Sequence, residues 1–433
     1  MSHPERALSL RTATLLVVAS MVGTGVFTTS GFLARDLGSN SAVLLCWAVG
    51  GVIALFGSLA YGELAAALPN NGGEYALLSR IYHPGVGFIA GFVSLFVGFA
   101  APTAASAIAF GVYAERAFPI PGNPGWWPDL LGVLLIVGVT AIHIATVRRG
   151  SRFQDIFTLL KVGLIVALVV ASLGQGDLSR LGEGSSWVDA TFSGAFAVGL
   201  VFVSFAYTGW NAAAYVAGET ENPGRSLPRA LAIGTGIVTV LYLALNVVFV
   251  AAAPMDALSG RVDVAHVAAE AMFGTTAGRI LSAVIAWGLI STVGAQIMTG
   301  PRIYEAMGHD HPRLGILAKR REGGGPIWAT LLQAALSIAM ALSASFDALL
   351  IYAGASLSLF AALTAAGVFV LRAREPDLPR PYRTSGHPFS TIVFLLLTSW
   401  MIVHSLIERP IVAAYAGGTL VLGAVAWWLL GER

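Results

Sequence analysis

In the stretch FTLLKVGLIVALVV, residues 157–170, Lys161 is the single charge in a run long enough to lie inside a bilayer. The chain holds 25 basic residues, and only Lys161 and Lys319 are lysines. A cation near mid-bilayer costs about 2.5–3.5 kcal/mol even on lenient insertion scales, and such groups ordinarily face a cavity and a partner. Lysine is compact and can lose its proton when buried, whereas arginine keeps its own. Two readings stand on these residues alone. Lys161 either snorkels to the inner interface, roughly 10–13 Å away along the helix, or serves as a working cation inside the protein.

Other chemistry lacks its residues. Eight histidines are scattered without ligand spacing, and Cys46 is the sole cysteine, so no metal, cofactor or intrachain disulfide is expected. Neither GxxxxGK[ST] nor G-x-S-x-G occurs, which removes ATP-driven pumping and serine hydrolysis from consideration. His143 and His404 are lone histidines inside apolar runs and read as packing residues. The expectation is movement of a solute, with no enzyme activity.

The elements that must hold Lys161 follow from composition. The 433 residues are 56% hydrophobic and 11% charged, with mean hydropathy +0.76, a balance suited to an integral membrane protein. About 20 apolar helical residues cross the hydrocarbon layer. Twelve spans are expected, at 12–35, 41–67, 86–113, 129–147, 154–173, 190–217, 229–253, 278–307, 327–345, 347–371, 388–407 and 411–430. The first reads as an uncleaved span. With the N-terminus inside, eighteen basic residues fall on the cytoplasmic side and six outside, so both termini are expected to be cytoplasmic. These charges are topology signals, and no nucleic-acid partner is implied.

Two spans contain helix breakers at similar depth. In SMVGTGVF, Gly23 and Gly25 flank Thr24; in SFAYTGWN, Thr208 and Gly209 follow Tyr207. Glycine costs a helix interior about 1 kcal/mol relative to alanine, so these are places where a helix can unwind. Close helix packing is the plainer explanation of each pair. Two pairs, one opening each half of the chain, instead point to a transporter site at the membrane midplane. A half-helix N-terminus attracts a carboxylate and free carbonyls suit an ammonium, a pattern shaped for a zwitterion.

The order of motifs resembles the amino acid–polyamine–organocation (APC) superfamily. GTGVF at 23–27 resembles its G-[ST]-G-[IV]-F signature, and YGELAAALPNNGGEYALL and FAYTGWNAAAYVAGETENPGRSLPRAL are similar to its second and sixth helices with their loops. RFQDIFTLLKVGLIVAL and REPDLPRPYRTSGHPF look closest to the L-type amino acid transporter branch. The resemblance implies an all-α polytopic membrane protein with the LeuT-like 5+5 inverted repeat and helices 1 and 6 unwound. The whole chain, 1–433, would be one transporter domain, with repeats at 12–173 and 190–371 and two peripheral helices at 388–430.

Carried over by motif, the resemblance assigns the substrate carboxylate to Thr24 and Gly25, beside Gly23, and the ammonium to carbonyls of Met21, Phe205 and Thr208. Phe205 would also gate the site, with Ala206, Tyr207, Trp210 and Asn211 lining or supporting it. Lys161 would occupy the place of sodium in sodium-coupled relatives, with Ser291 and Thr292 as hydroxyl partners. What is implied is sodium-independent transport of neutral L-amino acids by alternating access, as exchange or facilitated transport, in the bacterial inner (plasma) membrane. Proton symport with Lys161 titrating stays open, as does a non-transporting amino acid sensor. No accessory subunit is implied. Thr208, where many L-type relatives have glycine, takes up volume and favours small or medium substrates.

Three further charges fall at the inner face. Glu63, Glu219 and Glu221 read as loop charges paired with arginines such as Arg225 and Arg229, or as an inner gate. On the outside, 263–274 has an amphipathic face of Val264, Val267, Ala268, Ala271 and Met272, expected to lie over the vestibule.

Overall fold

The computed structural model describes residues 8–70, 72–145, 150–320 and 325–430; Asn71, Arg6, Arg148, Arg149, Arg321 and Arg433 lie outside them. Regular structure in the described residues is helical, apart from isolated bridges such as Leu8 with Thr220. The first apolar run is two helices, α1 (Leu10–Met21) and α2 (Gly25–Leu37), bent by 43°. Ser9 caps α1 by accepting from the Thr12 amide, and Gly38, at φ 58°, ends α2 in the left-handed region.

Next come α3 (Asn40–Ala67), the short α4 (Gly73–Ile81), and α5 (Pro84–Ala117), which carries a π-helical segment at Leu95–Ala100. They are followed by α6 (Trp127–Ala145), α7 (Gly150–Ala171) and α8 (Gly194–Tyr207). The second half adds α9 (Pro223–Ala252), α10 (Val264–Phe273), α11 (Thr275–Asp310), α12 (Ile327–Ser343), α13 (Phe346–Arg374), α14 (Phe389–Glu408) and α15 (Pro410–Leu430). Among the described residues eight helices are long and apolar enough to cross a membrane, nine if α1 and α2 form one span.

Hydropathy alone leads to an expectation of twelve crossings. The sixth and ninth appear as the shorter apolar helices Gly194–Tyr207 and Ile327–Ser343, and the fifth falls within α7. The sixth is short because Thr208 leaves helical geometry, with ψ 144°.

Burial separates the helices. In α8, residues 196–203 are all buried, as an evenly apolar helix requires, and it packs on α2, α3, α13 and α14. α9 runs along α1 and α3, and α11 along α5. At the other extreme α15 buries Thr419 and Gly423 and leaves Tyr415 and Trp428 more than two-thirds exposed, as a lipid-facing helix would. The amphipathic helix α10 forms as expected, but its buried face is Val264, Ala265, His266, Ala268 and Ala269, with Ala271 exposed. The face is rotated because His266 turns inward: its Nδ1 lies 2.9 Å from the Ser282 hydroxyl.

Candidate functional site

The two breaks meet. A Cβ added at Gly25 would lie 2.5 Å from the Ala206 Cα, and one at Gly209 would lie 2.6 Å from the backbone of Ser20. Only glycine permits either approach, and Gly209 also has φ 99°, a region that side chains avoid. The first unwound segment, 22–24, thus lies against the second, which begins at Thr208.

Polarity differs across this junction. α2 starts at Gly25 with Thr24 as its N-cap; the Phe27 amide donates to the Thr24 carbonyl at 3.1 Å, which leaves the Gly25 and Val26 amides without a partner within the helix. The Thr24 hydroxyl contacts Ser106 at 2.7 Å, and its carbonyl accepts from the Thr28 hydroxyl at 3.1 Å. α8 instead ends in carbonyls. The Phe205 carbonyl accepts from both the amide (3.0 Å) and the hydroxyl (2.6 Å) of Thr208. Phe205 itself is 6% exposed.

Tyr242 on α9 ties the two breaks together. Its hydroxyl donates to the Met21 carbonyl at 2.6 Å and approaches the Ala206 carbonyl at 3.3 Å. Asn246, one turn along, donates to the Tyr242 carbonyl and receives the Ser30 hydroxyl, which in turn accepts from Trp47 Nε1. Sequence reasoning misses Ser30, Trp47, Tyr242 and Asn246. Their signal is polarity inside apolar spans, where an unsatisfied group costs several kcal/mol and must find partners.

The remaining candidates divide. Tyr207 points into packing: its hydroxyl donates to the Trp47 carbonyl at 3.2 Å and its ring lies against Trp47 and Tyr242. Trp210 stands edge-on to Tyr61, with ring centroids 4.7 Å apart. Asn211 reaches away from the first break and donates to Glu74 on α4 at 3.1 Å.

Lys161 on α7 is 8% exposed, and its Nζ donates to the Thr292 hydroxyl on α11 at 3.3 Å. Thr292 passes the bond to the Gly288 carbonyl, and the lysine stem lies against Gly288. A cavity of about 330 Å³ opens beside this contact, lined by Gly23, Phe27, Lys161, Gly288 and Thr292 among others. The structure therefore joins Lys161, Thr292 and the first break around one space. Ser291 is not joined to them: it is buried, and its hydroxyl has no hydrogen-bond partner among the described residues.

At the opposite face Glu63 is buried and takes a two-pronged ion pair from Arg372 (2.7 and 2.9 Å), with Arg380 and Thr384 completing its shell. Arg225 and Arg229, the arginines expected there, are not its partners. The local sequence places them near Glu219 and Glu221, but α3 ends beside the segment after α13 instead. Glu219 sits in a short turn whose carbonyl accepts from the Leu8 amide. His143 is satisfied within its own helix, with Nδ1 2.9 Å from the Val139 carbonyl.

A family model described as amino acid permease matches residues 8–424. Large neutral amino acids transporter small subunit 2 of Rattus norvegicus is 29% identical to this chain, covering 98% of it and 80% of the relative. Asc-type amino acid transporter 1 of Mus musculus is 27% identical, with coverages of 99% and 81%. Serine/threonine exchanger SteT of Bacillus subtilis is 27% identical, with coverages of 93% and 92%.

Proposed function

Because the chain belongs to the amino acid permease family, we propose that it exchanges neutral L-amino acids across the bacterial inner membrane without sodium, by alternating access. Both termini lie in the cytoplasm, residues 12–173 and 190–371 form the two inverted repeats, and 388–430 is peripheral. The observation that carries the reading is Lys161 donating to Thr292 beside a cavity that Gly23 also lines. A cation there ties α7 and α11 to the first break, where a diffusible cation would otherwise be needed.

In this reading the carboxylate is received at Thr24 and Gly25, where helix-terminal amides and the positive end of α2 converge. The ammonium is received by the carbonyls of Met21, Phe205 and Thr208. Two of these are engaged by Tyr242 and by Thr208 itself, so substrate shares or replaces those bonds. Small and medium side chains, as in the serine/threonine exchanger, suit the space beside Thr208.

Uptake of radiolabelled amino acids into proteoliposomes tests this, with sodium, pH gradient and internal substrate varied separately. Acceleration by internal amino acid, with no response to sodium, is the expected result. Dependence on sodium sinks the role given to Lys161. Drive by an inward proton gradient with empty vesicles replaces exchange with symport, and binding without flux indicates a sensor.

A further inference from the structure

Glu74 opens α4, and its bond from Asn211 leads away from the two breaks. Its side chain is half-buried, and its Oε1 accepts two hydrogen bonds: from the Tyr61 hydroxyl at 2.6 Å and from Asn211 Nδ2 at 3.1 Å. Tyr61 lies on α3 and Asn211 just past the break that ends α8, so one oxygen joins three segments. A Cβ at the neighbouring Gly73 would fall 2.3 Å from the Tyr215 ring, which seats α4 against the same unwound stretch.

No cation balances this carboxyl among the described residues. Arg372 is committed to Glu63, Arg80 to Glu375, and Arg374 to the Ile81 carbonyl. His83, at the start of α5, accepts the Gly85 amide with Nδ1. Tyr61 and Tyr215 are the titratable groups that face Glu74, and both are neutral phenols at cell pH. The Tyr61 and Asn211 donors both favour the ionised carboxylate; what opposes ionisation is withdrawal of the carboxyl from water with no cation beside it.

We propose that Glu74 is a proton site at the inner end of the sixth span, a positioning residue that holds Asn211 while neutral and releases it on ionising. The inference rests on the exchange function and orientation proposed above. Burial lifts the carboxyl from its ordinary 4.5 to about 7, against the opposing pull of the Tyr61 and Asn211 hydrogen bonds. In a released state Glu74 is hydrated and returns to its ordinary value, so the held state binds the proton more tightly. Linkage then favours the held state in acid, and raising the pH from 6 to 8 shifts the equilibrium towards release by about tenfold.

The test is amide hydrogen exchange of the segment 205–220 in the full chain in nanodiscs between pH 6 and 8, corrected for intrinsic rates. Amino acid exchange in proteoliposomes is followed alongside. Protection is expected to fall about tenfold across this range in the wild type and to stay high and flat in Glu74→Gln. Tyr61→Phe removes a donor that favours the ionised form, so its midpoint is expected at higher pH. A flat wild-type profile, or a Glu74→Gln profile that tracks the wild type, overturns the proposal. A hydrogen-exchange response without amino acid flux supports the proton site and rejects the transport reading.

Discussion

The two broken spans continue differently beyond their breaks. After Thr24 the first resumes as α2, a helix of 13 residues. After Tyr207 the sixth gives only short 3-10 turns at Ala212–Tyr215 and Ala217–Glu219. The first break is therefore a joint between two rigid pieces, and it leaves helix-terminal amides pointing at the centre. The second is an end, whose carbonyls are partly satisfied by Thr208 from its own chain. In the proposed reading, one side of the site receives the substrate carboxylate. In the same reading the other must give up existing hydrogen bonds to receive the ammonium, because the Phe205 and Met21 carbonyls are already engaged.

The largest effect expected is from Gly25→Val, which drives a branched side chain into Ala206 and forces the breaks apart. Overpacking of this kind costs about 1–3 kcal/mol, so exchange should fall at least about tenfold while the protein still inserts. Normal flux would mean that the breaks do not touch in the working protein. Next is Lys161→Ala, which leaves the α7–α11 contact and the nearby break without their cation. A loss of about tenfold or more in exchange, with unchanged membrane insertion, is expected. Unchanged kinetics would return Lys161 to a snorkelling role.

Tyr242→Phe is expected to be milder. It removes a hydroxyl shared by Met21 and Ala206, worth about 1 kcal/mol net, and should lower the melting temperature in detergent by a few degrees. If it instead raises transport, the Tyr242 hydroxyl competes with substrate at the Met21 carbonyl. The smallest change is expected from Thr208→Ala, which frees one acceptor site on the Phe205 carbonyl. A decrease in KM of about twofold to threefold, with kcat little changed, would place the ammonium on the sixth span. No change would assign it to the Met21 side alone.

Much of this is legible from residue types. Gly23, Gly25 and Gly209 announce the breaks because glycine is costly in a helix interior, and Lys161 announces itself as an isolated charge in an apolar run. The amphipathic helix α10 is legible in extent but not in facing, since His266 counts as polar and is therefore expected on the exposed face. Ser291 and Thr292 are indistinguishable as neighbours on one helix; a rotation of about 100° per residue decides which hydroxyl meets Lys161. Local sequence pairs Glu63 with arginines near Glu219 and Glu221, whereas its partner Arg372 lies 309 residues away.

Sequence alone determined that the chain is a bundle of membrane helices, where two of them break, and which span carries a cation. Those are local properties, set by hydropathy and by glycine and threonine propensities within a few turns. Tertiary structure decided what the broken ends are bonded to. Tyr242 reaches Met21 across 221 residues and Asn211 reaches Glu74 across 137, contacts that exist only because particular helices lie side by side. A buried polar group must be satisfied, but its sequence does not say by whom.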